Sequence, residues 1–381
     1  MRYLLVFLFS VTSLFGQDYF TERYQPFDTT IPAPKDFLEY EIGSQHTRHD
    51  QIISYLEQIA SLSSQAKIVY YGKTHEGRKL PLLIISSQEN LSQLETIQKA
   101  HLAYAQGRIS EEPNIPLIIN LAYNVHGNEP SSSEAALLAA YTLSASQEDQ
   151  IKSFRENAII FIDPTINPDG RDRHTQWANM YKGTPLVADP MDAEHNEAWP
   201  RGRTNHYWFD LNRDWLLAIN PESQGKLAWY HQWYPNVVTD FHEMGSQSTY
   251  FFEPMKPNGS LDPIMPKDNY VKLNDLFATY FAKGLDSIGS LYFTKEAFGL
   301  IGLNHEEYIT SSEKYFRPNE VDYLLGNPKK ALDNLGWKPE TDFKELVKMM
   351  VNHDINEAKK EYTLLKEKLI SPTWESSVDP G

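Results

Sequence analysis

Three short apolar runs, each followed by polar side chains able to do chemistry, limit the folds open to this chain. Residues 116–122 read PLIINLA, residues 158–162 read AIIFI, and residues 236–239 read NVVT. Runs this rich in apolar residues, without the in–out alternation of a half-wet sheet, are expected of strands covered on both faces. Residues 46–61 have helical spacing, with Ile52, Ile53, Leu56 and Ile59 on one face, and residues 131–141 read as a helix capped by serines. Residues 67–71 and 82–85 read as two strands joined across the turn 72–78, which makes a hairpin. Strands alternating with helices predict an open α/β sheet whose site lies along the carboxyl edge of its strands.

Composition narrows the chemistry. With 381 residues the chain is long enough for two or three domains, or for one large α/β domain with an appendage. A 41% hydrophobic fraction is ample for a packed core. A formal net charge of −16 argues against nucleic acid as a partner, because phosphates demand a Lys/Arg surplus. The absence of cysteine removes disulfide scaffolds, thiolate zinc sites and thiol nucleophiles together, so any metal must be held by His and carboxylate. At the start, Met1-Arg2 precedes a run through residue 15 that is apolar except for Ser10, Thr12 and Ser13, with Gly16-Gln17 after it. This is too short to span a bilayer, and residues 1–17 read as a secretory signal peptide, the other reading being a buried strand. No later stretch approaches ~18 uninterrupted apolar residues, so no integral membrane contact is expected. The expected location is exported, periplasmic or extracellular. Residues 18–45, with Pro26, Pro32 and Pro34, read as a lead-in.

The first apolar run leads into Tyr123-Asn124-Val125-His126-Gly127-Asn128-Glu129-Pro130, which sets His126 and Glu129 three positions apart with Gly127 free to tighten the turn. The NVVT run leads into Asp240-Phe241-His242-Glu243. Two strand-end loops of one sheet can bring His126, Glu129 and His242 to one cation with a coordination position left open. Asp240 is then a candidate acceptor for an imidazole N–H. The same residues also read as ordinary hydrogen-bonded polar groups at strand ends. Asp210-Leu211-Asn212-Arg213 places an amide beside a guanidinium, a pair suited to grip a carboxylate. Trp199-Pro200-Arg201-Gly202-Arg203 offers a cation for an oxyanion. These arginines read equally as surface or ion-pair residues.

In order, YGKTHEGRKLPLL, NVHGNEP, NPDG, DLNRDW and DFHEMG resemble the zinc carboxypeptidase (carboxypeptidase A-like) family over about 40–293. The resemblance implies a mixed, mostly parallel twisted sheet flanked by helices. It also implies Zn2+ held by His126, Glu129 and His242, substrate carboxylate bound by Asn212 and Arg213, and a scissile carbonyl polarised by Arg203. The implied activity is removal of C-terminal residues from a peptide or protein by zinc-activated water. The family also uses a general-base Glu on a late strand. Glu296, Glu306, Glu307 and Glu313 lie in the wrong setting for it, and Glu243 is next to His242 but on the opposite strand face.

Residues of about 296–362, including YFRPNEVDYLLGNPKKA and LGWKP, resemble instead the end of GDP-mannose 4,6-dehydratase. That resemblance implies nucleotide contacts from Arg317 and Glu320. The chain has no GxGxxG opening a βαβ unit and no Tyr-x-x-x-Lys pair in a suitable context, so dehydratase activity is not expected. The chain thus reads as a chimera. Residues 1–17 are a signal peptide, 18–45 a lead-in, 46–294 a truncated carboxypeptidase-like domain lacking its last strand, and 295–381 a mainly helical, dehydratase-like segment. The alternatives to an active peptidase are a non-catalytic zinc- or peptide-binding pseudoenzyme and nucleotide-sugar binding through the last segment.

Overall fold

A computed structural model describes residues 22–187, 189–243 and 267–287. The signal-peptide segment and all of 295–381, with Glu296, Glu306, Glu307, Glu313, Arg317 and Glu320, lie outside the described residues. The chain divides into two compact units, Met1–Ser248 and Thr249–Gly381. In the second, the described part is one helix, Lys267–Ser287.

Among the described residues, the first unit holds five strands: β1 (Ala66–Lys73), β2 (Lys79–Ile85), β3 (Leu117–Tyr123), β4 (Ala158–Asp163) and β5 (Val237–Phe241), in the order β1-β2-β4-β3-β5. β2 runs antiparallel to β1 and β4, whereas β3 is parallel to both β4 and β5. Four strands therefore point one way and β2 alone runs against them. Helices cover both faces. On one side α1 (Pro34–Leu38), α2 (His49–Leu62) and α4 (Pro130–Ala145) bury Ile52, Tyr55, Leu56, Ile59, Ala136 and Leu137 against Leu83, Ile85, Ile160 and Ile162. On the other, α3 (Leu94–Ala105) and α5 (Pro221–Trp233) set Ile97, Trp229 and Trp233 against Leu82, Ile84, Ile118, Ile159 and Phe161. β2 and β4 thus send alternate residues into two cores, which is why residues 82–85 and 158–162 are apolar at every position. Each fully buried aliphatic or aromatic side chain contributes about 1.5–3 kcal/mol.

Two local expectations are corrected. The NVVT run is not covered on both faces. Among the described strands β5 stands at the edge of the sheet, its exposure alternates, and Val238 is 47% exposed. The serines of 131–133 do not cap their helix either. Glu129 occupies the N-cap position without a side-chain bond and Pro130 begins the first turn. Ser132 Oγ instead accepts the amide of Asn124, and Ser133 Oγ donates to the carbonyl of Pro164. One amide of the helix's first turn is served from afar: Glu243 accepts from Ser132 N at 3.1 Å, and its other oxygen accepts from the Ser131 hydroxyl at 3.1 Å.

Candidate metal centre

The site stands where β3 and β5 end side by side. Tyr123 and Phe241 are paired in register and their rings stack at 4.3 Å, so the loops that follow leave the sheet at one level. Asn124 turns the first loop. Its φ is 60°, and its Nδ2 donates to the carbonyls of His126 and Glu129, 3.0 Å each, which aims both side chains the same way. Gly127 is required for close approach rather than for a left-handed turn, because a Cβ there would lie 2.2 Å from the amide nitrogen of Arg171.

His126, Glu129 and His242 come together, each offering one ligand atom within 4.8 Å of the others. His126 Nδ1 lies 2.7 Å from Glu129 Oε1, and His242 Nδ1 lies 3.2 Å from Glu129 Oε2. The far ring nitrogens face carboxylates. His126 Nε2 is 3.0 Å from Asp210 Oδ1, and His242 Nε2 is 2.9 Å from Asp240 Oδ2. Each imidazole is therefore held with Nδ1 turned inward, the arrangement that orients metal-ligating histidines. Burial pushes the Glu129 pKa up, but hydrogen bonds from His126 and His242 outweigh it and hold the group at about 2. Hydrogen bonds to Asp240 and Glu129 raise the His242 pKa to about 10. An ionised carboxylate between two inward nitrogens, with no sulfur, is a donor set that fits zinc. No other group of three such residues this close occurs among the described residues.

The arginines are placed differently from one another. Arg203 forks onto Asp210 Oδ2, from Nη2 at 3.0 Å and Nε at 3.3 Å, and so reaches the carboxylate that also holds His126. Arg201 is exposed and gives its carbonyl to Arg173. Asn212 Nδ2 is 3.4 Å from His242 Nε2, which sets it at the rim of the cluster. Arg213 is exposed, with Nη1 donating to the carbonyl of Asn212. Glu243 turns to the helix start and not toward the cluster; burial raises its pKa. The residue that the sequence reading missed is Asp210. Its signal was its place two residues before Asn212, at the start of a short helical turn that its own side chain caps.

A family model described as zinc carboxypeptidase matches residues 52–256, and one described as GDP-mannose 4,6 dehydratase matches residues 274–350. Both matches end or begin upstream of residues 293–297, where the motifs alone put the change of character. GDP-mannose 4,6 dehydratase 2 of Arabidopsis thaliana is 48% identical over 73 residues, 19% of this chain and 20% of that protein. Among solved structures, a metallo-carboxypeptidase from Burkholderia cenocepacia is 16% identical with a TM-score of 0.42, covering 65% of this chain and 52% of that one. Carboxypeptidase A from Helicoverpa armigera is 19% identical with a TM-score of 0.38, covering 63% and 54%. The chain spans about a fifth of the curated relatives' length and about half of these solved chains. Among the described residues, no helix is long and apolar enough to cross a membrane.

Proposed function

Over residues 52–256 the chain belongs to the zinc carboxypeptidase family, and from that footing we propose that it is a metallocarboxypeptidase-type hydrolase acting at the C-terminal end of a peptide or protein. The observation that carries the reading is the inward pair of Nδ1 atoms on either side of Glu129, each ring braced by a carboxylate behind it. His126, Glu129 and His242 would hold Zn2+. When bound, zinc supplies Lewis-acid polarisation of a carbonyl oxygen and acidification of water.

The chain's own residues do the rest. Asn212 and Arg213 receive the substrate's terminal carboxylate through an amide and a two-pronged guanidinium. Arg203 offers N–H donors where negative charge grows on the scissile carbonyl, and Asp210 fixes its fork. Proton transfer needs a further carboxylate. Glu243 is spent on Ser131 and Ser132, an observation that favours as second reading a protein that binds zinc and peptide without turnover. Export through residues 1–17 is part of the proposal, and N-terminal sequencing of the mature protein tests it.

The test of function has two steps. The purified full chain should hold one zinc, and His126→Ala or His242→Ala should abolish it; a folded protein that takes up no stoichiometric zinc refutes the reading. Matched peptides with free and amidated C-termini then divide the alternatives. Release of the terminal residue from the free peptide supports the hydrolase, and selective binding without release supports the pseudoenzyme.

A further inference from the structure

Glu197 belongs to none of the motifs that mark the site, yet it touches the loop that carries His126 and Glu129 and the loop that carries Arg203. Its Oε2 accepts from Asn128 Nδ2 at 2.9 Å, inside the loop that carries His126 and Glu129. Its Oε1 accepts from the amide of Gly202 at 2.8 Å, next to Arg203. His174 Nδ1 stands 3.0 Å from the same Oε1, and both side chains are about nine-tenths buried. The segment behind Glu197 is stiff. Asp192 caps a short helical turn over Ala193–His195, and Trp177 Nε1 donates to the carbonyl of Ala193 at 2.8 Å.

A second observation locates the same contact. A Cβ on Gly127 would lie 2.6 Å from the carbonyl oxygen of Gly202, and one on Gly170 would lie 2.5 Å from it. A Cβ on Gly202 would lie 2.5 Å from the Cβ of His174. Two loops and the first turn of the helix Pro168–Tyr181 therefore meet backbone to backbone at one point, with no side chain able to intervene. Arg173 also holds the Arg203 loop, through the carbonyls of Arg201 and Asn205, but it ties that loop to its own helix, Pro168–Tyr181. Glu197 ties it to the metal-bearing loop.

We propose that Glu197, steadied by His174, is a positioning residue that sets Arg203 at its working distance from the His126–Glu129 loop. The inference rests on the peptidase reading of that site. An arginine that must meet a bound carbonyl needs its backbone fixed to within a fraction of an ångström of the metal ligands, and a carboxylate that accepts one hydrogen bond from each loop does this directly.

The probe is an N-acetylated dipeptide analogue in which a ketomethylene group replaces the scissile amide, with a free C-terminal carboxylate. It keeps the carbonyl and cannot be cleaved. In the zinc-loaded full chain, Glu197→Ala should weaken binding of the analogue at least about tenfold while zinc affinity stays within about threefold, since no metal ligand is touched. Glu197→Gln, which still accepts from Gly202 and can donate to a flipped Asn128 amide, should return to within about threefold of wild type. Three outcomes overturn the inference: unchanged analogue affinity in Glu197→Ala, an equal loss of zinc and analogue affinity, or a Glu197→Gln variant as weak as the alanine. Should Glu197→Ala not fold, Asn128→Ala cuts one arm of the tether, and unchanged analogue affinity there overturns the inference just as well. A wild-type chain that binds neither zinc nor analogue sinks the peptidase reading itself and this inference with it, a failure seen before any variant is made.

Discussion

Replacing Asp210 by asparagine keeps the shape of the side chain and removes one acceptor. Asp210 Oδ1 serves His126 Nε2 at 3.0 Å and the amide of Asn212 at 2.9 Å, while Oδ2 serves both arms of the Arg203 fork. An asparagine offers a single oxygen. If it faces His126, its NH2 confronts the guanidinium; if it faces Arg203, its NH2 confronts two N–H donors. Neither orientation satisfies all four donors, and the charge that steadies His126 is gone either way. Loss of such a partner behind a metal-ligating histidine costs about 10–100-fold in metal affinity, which is about 1.4–2.7 kcal/mol. We expect Asp210→Asn near the lower end, because its oxygen can still meet His126, and Asp210→Ala near the upper. Competition for zinc against a chromophoric chelator at neutral pH measures the loss, with circular dichroism to confirm that the fold is kept. If both variants bind zinc within about twofold of wild type, the bracing of His126 by Asp210 is not part of how the site holds metal.

Three further outcomes test the scaffold. Phe161 is fully buried against Trp229 and Trp233, at ring distances of 5.0 and 4.7 Å, so Phe161→Ala should cost about 3–5 kcal/mol in urea unfolding. Lys226 Nζ lies 2.7 Å from Asp163 Oδ2 and 2.9 Å from Asn120 Oδ1, all buried under α5. Lys226→Met strands the carboxylate and should cost about 3–5 kcal/mol, and adding Asp163→Asn should recover most of it; a single variant within about 1 kcal/mol of wild type would contradict that. Glu222 is fully buried, its oxygens lack a well-formed hydrogen bond, and burial raises its pKa against the pull of nearby backbone amides. An acid with a raised folded pKa favours unfolding as pH rises past its unfolded value of about 4.3. Glu222→Gln should therefore be more stable than wild type at neutral pH, with the gap closing below about pH 4; a gap of constant size would show that Glu222 titrates alike in the folded and unfolded chain and that burial does not raise its pKa.

Much of this architecture was legible in short stretches of sequence because its causes are local. The runs that became β3 and β4 are apolar apart from Asn120 and the closing Asp163 since helices cover both faces of the sheet there, and Ile52, Leu56 and Ile59 repeat with the helical period that buries them. Tyr55 joins that face and Ile53 only half does, a rotation of the helix that periodicity alone does not resolve. NVVT is too short to show which of its side chains face a covering element, and the structure leaves Val238 exposed. The convergence of His126, Glu129 and His242 could be anticipated because parallel strands that end level deliver their loops together. What escaped notice is long-range: Glu243 serves a helix that starts more than a hundred residues earlier, and Asp210 reaches back to His126. Such partners are chosen by packing and leave no mark in the residues beside them.

Anomalous diffraction at the zinc edge from crystals of the full chain tests the centre most directly. A single peak about 2.0–2.1 Å from His126 Nδ1 and His242 Nδ1, with a Glu129 oxygen at about 2.0–2.2 Å, is expected. A zinc peak bonded through either Nε2, or no peak between these three side chains at saturating zinc, would contradict the account.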